Sequence, residues 1–276
     1  MSADQSPLLA LSDGHTIPQL GLGVYKASLE ETKAMVGHAL DVGYRLIDTA
    51  AMYLNEEAVG EALQESSVPR SEVFVQTKFW LEDLGYQKTL DACRASLERL
   101  KLDYVDLYMI HWPAPQRDLY VESWQAMETL REEGLTRSIA VCNFHSEHLE
   151  RIISLGGAIP VINQVEVHPW LTQEKLLAFH DAHSIVTQAW SPLARGQILD
   201  EPLLVHIAQK LGVSVAQVVI RWHLQRGYSV IPKSTHPERI DQNADVFNFS
   251  LSNEDMKAIT GLNRDYRTGV DPNDRN

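Results

Sequence analysis

Asp48, Tyr53, Lys78 and His111 are four side chains of complementary chemistry. Each stands at, or one short loop past, the end of an apolar run. Tyr44-Arg45-Leu46-Ile47 leads to Asp48, Val73-Phe74-Val75-Gln76-Thr77 to Lys78, and Leu107-Tyr108-Met109-Ile110 to His111, while Tyr53 follows Asp48 closely. Buried parallel strands read as continuous Val/Ile/Leu-rich runs, and a barrel of them carries its chemistry at the C-terminal face. A lone strand-end Asp or Lys is more often a salt bridge or cap, and a lone His a hydrogen-bonded structural group. Four such groups at neighbouring strand ends point to function. A free phenol is a poor acid, with a pKa near 10. An ammonium about 4 Å from the phenolate, at an effective dielectric of about 20, contributes roughly 4 kcal/mol, or about three pKa units. Asp48 would hold Lys78 in place and keep it charged. His111 would orient a carbonyl oxygen and share the proton traffic. The set suits protonation of an oxygen that is gaining negative charge, as in carbonyl reduction.

Three further runs end on polar groups. Ile139-Ala140-Val141-Cys142 leads to Asn143, Val161-Ile162-Asn163 to Gln164, and Val230-Ile231-Pro232 to Lys233. The two amides suit a carboxamide, and Trp190, at another strand end, could stack on a flat heterocycle. Lys233, Ser234, Thr235 and Arg239 open the helix after the last strand. That is where barrels commonly bind phosphate. Two cations beside hydroxyls in an acidic chain favour a ribose phosphate, hence NADPH over NADH.

Alternating elements must position these groups. Residues 8–18 read as a hairpin around the Asp13-Gly14 turn signal, closing the barrel bottom. Barrel strands are expected at 20–24, at the six runs ending at 48, 78, 111, 143, 164 and 190, and at 228–233. Helices are expected at 29–42, from Asn55 as N-cap, and at 87–100, 120–133, 147–155 and 173–182. Further helices follow at 202–211, 215–225, 236–244 and 253–262. Eight βα units without a composition break predict an α/β fold, a single (β/α)8 TIM barrel over residues 1–276. An open doubly wound sheet is the rival. Its Gly-rich fingerprint is incomplete here, because Gly21-Leu22-Gly23 is followed by Lys26 where a third glycine belongs. The pair reads instead as close backbone packing. The short 112–120 loop and the brief polar tail predict an open pocket.

Composition narrows the function classes. The chain has 276 residues, is 44% hydrophobic and 22% charged, and carries a net charge of −13. An acidic surface repels phosphate backbones, so nucleic acid is not an expected partner. No apolar stretch approaches the roughly 20 residues that span a bilayer, and no secretory signal is visible. Two cysteines, Cys93 and Cys142, read as buried reduced thiols of a cytoplasmic protein. No metal centre is expected. An early His-x-His is absent, and the pairs His145/His148 and His180/His183 read as solvated helix faces. Glu166 lacks a strand-end partner for a glycosidase pair and reads as structural.

These residues resemble the aldo-keto reductase superfamily. The likeness spans essentially the whole chain. It is most specific in Gly43-Tyr44-Arg45-Leu46-Ile47-Asp48-Thr49-Ala50, Asp106-Leu107-Tyr108-Met109-Ile110-His111-Trp112-Pro113 and Ile231-Pro232-Lys233-Ser234. Val161-Ile162-Asn163-Gln164, Ala189-Trp190-Ser191-Pro192-Leu193 and Ile220-Arg221-Trp222-His223-Leu224 are similar to its bacterial 2,5-diketo-D-gluconate reductase (A-type) branch. The resemblance implies an NADPH-dependent reductase of small carbonyl compounds, a monomer, with Tyr53 as general acid of the tetrad. It assigns Asn143 and Gln164 to the carboxamide, with Cys142 beside them in the cofactor site, Trp190 to the nicotinamide stack, and Ser191 and Leu193 to the pyrophosphate. Lys233, Ser234, Thr235 and Arg239 fall on the 2′-phosphate clamp, and Gln242 and Asn243 near adenine. Tyr25, Trp80, His111 and Trp112 fall on the substrate pocket. Three positions depart from the family pattern. Cys142 stands where many relatives carry Ser, Ala194-Arg195 where many have a Gly-x pair, and His236 where some have a second Arg.

Overall fold

The computed structural model describes residues 6–276. A hairpin of β1 (Leu8–Ala10) and β2 (Thr16–Pro18) precedes eight parallel strands that run in chain order around one sheet. They are β3 (Leu22–Gly23), β4 (Leu46–Asp48), β5 (Phe74–Phe79), β6 (Val105–Ile110), β7 (Thr136–Cys142), β8 (Ile162–Glu166), β9 (Val186–Trp190) and β10 (Ser229–Val230). Backbone bonds from Val230 N to Gln19 O (2.8 Å), Gly21 N to Val230 O (2.9 Å) and Gly23 N to Pro232 O (3.1 Å) join the last strand to the first. The sheet therefore closes into the expected barrel.

The first and last barrel strands are shorter than their apolar runs. Pro232 has no N–H to donate, so regular pairing stops at Val230. At the other edge a β-carbon on Gly21 would overlap the Leu46 side chain. Glycine there permits the close approach of β3 to β4, as the sequence reading anticipated.

The hairpin pairs Leu9 with Ile17. Ile17 packs into a cluster with Leu46, Phe74, Leu107, Met109 and Val161 and so plugs the barrel bottom. A cavity of about 730 Å³ lies at that end, between the hairpin and Arg45, Phe74, Asp106 and Arg137, far from the strand-end polar groups.

Among the described residues ten helices pack outside: α1 (Leu29–Asp41), α2 (Glu56–Glu65), α3 (Tyr86–Leu100), α4 (Tyr120–Glu132), α5 (Ser146–Ile153), α6 (Glu174–Ala182), α7 (Pro202–Leu211), α8 (Val215–Gln225), α9 (Pro237–Ala244) and α10 (Asn253–Thr260). Their inward faces, Met35, Val36 and Leu40 on α1 and Val218, Val219 and Trp222 on α8 among them, join the outer core. Each such side chain contributes about 1.5–3 kcal/mol of burial. The α1 start is fixed by a capping box in which Glu31 N donates to Ser28 Oγ (3.2 Å) and Ser28 N to Glu31 Oε2 (2.8 Å). No single helix among the described residues is long and apolar enough to cross a membrane.

Three local expectations are corrected. Asn55 precedes α2, but its side chain makes no cap bond. Instead its Nδ2 donates to Val24 O and Thr32 Oγ1 (both 3.0 Å), and its Oδ1 accepts from Thr49 Oγ1 (2.9 Å), tying three elements behind the site. His148 and His180 are not solvated but buried. His180 is wedged between Asn163 Nδ2 (3.0 Å) and Thr187 Oγ1 (2.9 Å) under α6. Finally, the tail is not idle at the rim, because residues 264–276 line one side of the mouth, from Glu166 round to Trp80.

Candidate active site

Asp48 ends β4 and Lys78 lies one residue before the end of β5, so the barrel sets them side by side at the C-terminal rim. Both are buried, and Lys78 Nζ donates to Asp48 Oδ1 at 2.6 Å and to Thr49 O at 2.9 Å. The same Asp48 oxygen accepts from Gln76 Nε2 (2.6 Å) and Gln164 Nε2 (2.9 Å). Gln188 Oε1 accepts from both glutamines at 2.7 Å, and Gln188 Nε2 donates to Ser229 Oγ at 3.0 Å. A buried amide floor therefore fixes the Asp48 carboxylate before any ligand arrives. The sequence reading missed Gln76 and Gln188 in this role. Their signal was spacing: Gln76 lies two residues before Lys78 and Gln188 two before Trp190, on the inward strand face.

Tyr53 ends a one-turn 3-10 segment, Ala51–Tyr53, stopped by Leu54 in the left-handed region (φ 57°). This turn brings the ring over the rim. Lys78 Nζ lies 5.2 Å from the Tyr53 ring centroid, and the His111 ring stands edge-on at 5.8 Å. The four groups thus converge as expected. The expected acidity of the phenol is not found. Burial, reinforced by the Asp48 charge, holds the Tyr53 pKa well above 10.0. No hydrogen bond joins its hydroxyl to Lys78 among the described residues; the ammonium faces the ring instead. His111 is buried just past β6. Burial first, then the charges of Lys78 and Arg275, keep its pKa well below 6.5, so the ring is neutral. Its Nδ1 is buried without a partner.

Aromatic walls surround His111. Trp80 lies at 4.9 Å and Trp112 at 6.4 Å between ring centroids, and Tyr25 packs on Tyr53 at 5.0 Å. Across the rim, Trp190 Nε1 donates to Asn143 Oδ1 (2.8 Å), and Asn143 Nδ2 donates to His111 O (3.0 Å). Asn143 holds a left-handed conformation (φ 62°), which Asn tolerates better than most residues. Cys142 Sγ sits 3.4 Å from Gln164 Oε1 and is a free, buried thiol whose pKa burial raises. Asn143 thus bonds His111 and Gln164 bonds Asp48, while Trp190 reaches the tetrad through Asn143. In the loop after β9, Ser191 has φ 48°, Ala194 φ 47° and Arg195 φ 55°. Leu193, between them, packs against the outer core.

Lys233, Ser234 and Thr235 lead from β10 toward α9, which carries Arg239, Gln242 and Asn243. A β-carbon on Gly23 would stand 3.2 Å from Ile231 O and 4.0 Å from Asp48 Oδ2, so this segment begins beside the tetrad. Ser234 and Asn243 are buried; Lys233, Arg239 and Gln242 are exposed. Ser234 Oγ accepts from His236 N at 3.1 Å. Neither Lys233 nor Arg239 pairs with a carboxylate among the described residues. Two unpaired cations in a chain of net charge −13 form a donor set fit for a phosphate monoester.

Residues 264–276 line one side of the mouth. Tyr266 N donates to Trp170 O (3.0 Å). Glu166 accepts from Thr268 N (2.7 Å), Thr268 Oγ1 (2.5 Å) and Gly269 N (3.0 Å), while His168 Nε2 lies 3.0 Å away. Burial pushes the Glu166 carboxyl up, but the bonds from His168 and Thr268 outweigh it and leave the pKa lowered. Glu166 is structural, as anticipated: it latches the tail. No cluster of three or more His, Cys, Asp or Glu able to hold a metal ion occurs among the described residues.

Barrel, tetrad and mouth define a member of the aldo/keto reductase family, and the family's sequence profile matches residues 19–264. The chain belongs to that family. It is 50% identical over 268 residues to methylglyoxal reductase DkgA of Yersinia pestis, covering 96% of each chain. The E. coli K12 protein of the same name is 48% identical over 267 residues, again covering 96% of each. Among solved structures, a point mutant of Gox0644 in complex with NADPH superposes with a TM-score of 0.93 at 45% identity, covering 97% of this chain and 98% of that one.

Proposed function

We propose that this protein is an NADPH-dependent reductase of small aldehydes and ketones, with methylglyoxal and 2,5-diketo-D-gluconate as candidate substrates. One observation carries the reading: a protonated phenol, a neutral imidazole and a buried ammonium–carboxylate pair converge beneath aromatic walls, one short segment from two unpaired cations. The DkgA relatives, named for methylglyoxal, and the NADPH-bound neighbour support it.

Lys233 and Arg239 would hold the 2′-phosphate, with Ser234 and Thr235 as neighbouring donors and Gln242 and Asn243 toward the adenine. Ser191 and Leu193 would line the pyrophosphate path. Asn143 and Gln164, with Cys142 beside them, would face the carboxamide, and Trp190 the nicotinamide ring. NADPH bound there supplies the hydride. The chain's own work is proton delivery and positioning. Tyr53 donates its phenolic proton to the carbonyl oxygen. A phenol is already protonated at neutral pH and burial raises its pKa further, so negative charge arising on the substrate oxygen creates the demand for its proton. Lys78 then stabilises the phenolate, with Asp48 and the amide floor fixing the ammonium. An unpaired lone pair at His111 Nδ1 is less costly than an unpaired N–H, so the imidazole proton belongs on Nε2, ready to donate to the carbonyl. Tyr25, Trp80 and Trp112 exclude water around it. We place the activity in the cytoplasm, in a monomer.

The test is NADPH oxidation with methylglyoxal. Removing a general acid costs about 10²–10⁴-fold. Tyr53→Phe should lose turnover on that scale while still binding NADPH, as read by quenching of tryptophan fluorescence. Turnover retained in Tyr53→Phe refutes the acid assignment.

A further inference from the structure

We infer that Arg275 determines specificity, its guanidinium anchoring the carboxylate of an anionic carbonyl substrate at the barrel mouth. This rests on the reductase reading above and narrows it, from small carbonyl compounds at large to those carrying an acid group a few carbons away.

The guanidinium carbon of Arg275 stands 5.2 Å from the Trp112 ring and 5.8 Å from the Trp80 ring. Both of those rings also pack on His111. Two short legs therefore separate the cation from the imidazole, a span that one small substrate bridges. Its charge is felt there: Arg275 acts with Lys78 and burial to keep His111 neutral.

The cation lacks a counter-ion. Its Nε is buried with no hydrogen-bond partner, and no carboxylate lies within ion-pair distance among the described residues. Nearby acids are committed elsewhere. Asp271 is 3.0 Å from His145 Nε2 and 3.3 Å from Arg267 Nε, and Glu147 accepts from Asn273 Nδ2 at 3.4 Å. In a chain of net charge −13, a guanidinium left unpaired beside the site is unusual. Cation–π contact with two indoles holds it without using up its N–H groups. A planar fork of such donors matches a carboxylate in two-point contact.

Its position is fixed from both sides. The Pro272–Asp274 turn is capped by Asp271, whose Oδ1 accepts from Asn273 N (3.0 Å), and Gln116 N donates to Asn276 Oδ1 (2.8 Å). The competing role is a staple that merely ties the tail to two tryptophans. A staple would affect charged and neutral substrates alike, whereas a carboxylate anchor would not.

The experiment compares 4-oxobutanoate with its methyl ester, which have the same reacting carbon and differ in charge at the far end. Wild type should show the higher kcat/KM for the acid. In Arg275→Met the acid-to-ester ratio should fall tenfold or more, about 1.4 kcal/mol, chiefly through KM, and Arg275→Lys should recover part of it. A ratio that stays within twofold overturns the inference. Turnover of the ester by wild type keeps the reductase reading intact in that case. Failure of wild type to reduce acid, ester and methylglyoxal would instead overturn both. Independently of any variant, butyrate should compete with the ester where butyramide does not, and equal inhibition by the two also overturns it.

Discussion

Asp48→Asn tests what the buried ion pair contributes. Lys78 and Asp48 are 0% and 2% exposed, and their 2.6 Å contact is reinforced by the two glutamine donors. At an effective dielectric of about 20, that separation gives roughly 6 kcal/mol of attraction. Desolvating the two ions costs several kcal/mol each, so the pair as a whole adds little net stability. Removing one partner is different, because the amide keeps the shape but leaves the ammonium without a counter-charge. The expected loss is about 3–5 kcal/mol, or a drop in Tm of roughly 10 °C for a domain this size. Replacing both groups, Asp48→Leu with Lys78→Met, should restore most of that loss while abolishing activity. Urea unfolding followed by circular dichroism reads both variants. The reasoning fails if Asp48→Asn costs less than about 1 kcal/mol, or if the apolar double variant is the less stable of the two. Confirmation would mean that the pair is retained for chemistry at no gain in folding energy.

Lys233→Gly combined with Arg239→Ala should raise the NADPH KM tenfold or more and leave the NADH KM within about twofold, since an exposed charge-assisted contact is worth on the order of 1 kcal/mol; equal shifts for the two cofactors would remove the phosphate clamp. His180 gives a pH signature: burial, then the His183 charge, lowers its pKa from 6.5 to about 3, and Asn163 donates to its Nε2. Below pH 6.5 the unfolded chain therefore binds a proton that the folded one refuses, so stability falls as pH falls, by about 2 kcal/mol per such group between pH 7 and 5. Guanidinium titrations at the two pH values check this, and His180→Gln should remove that share of the slope. Glu166→Gln should loosen the tail, because a neutral amide cannot serve Thr268 N, Thr268 Oγ1 and Gly269 N as the carboxylate does. Faster amide exchange at 266–270 with the strands unchanged is the expected result, and unchanged protection would deny the latch.

The barrel and the tetrad were legible in the sequence for one physical reason. A strand buried on both faces must stay apolar until it reaches the rim, so Asp48, Lys78, His111 and Asn143 stand out where their runs end; Gln164, expected at a strand end, lies two residues inside β8 instead. What stayed hidden follows from the same rule. Gln76 and Gln188 interrupt apolar runs and read as blemishes until the closed barrel shows them donating to and accepting from one another beneath Asp48. His180 sits on a helix whose period cannot say whether a polar side chain finds Asn163 and Thr187 inside or water outside. Residues 264–276 have no period at all, so their path along the rim, fixed by Glu166, left no pattern to read. The phenol's acidity failed on a matter of distance and dielectric. With the ammonium 5.2 Å from the centre of the Tyr53 ring and no hydrogen bond from it to the hydroxyl among the described residues, burial and the Asp48 charge outweigh its pull. A site whose acid is held protonated by burial must draw the proton out with charge made during the reaction. Selectivity then rests on what holds the substrate in place long enough for that charge to form.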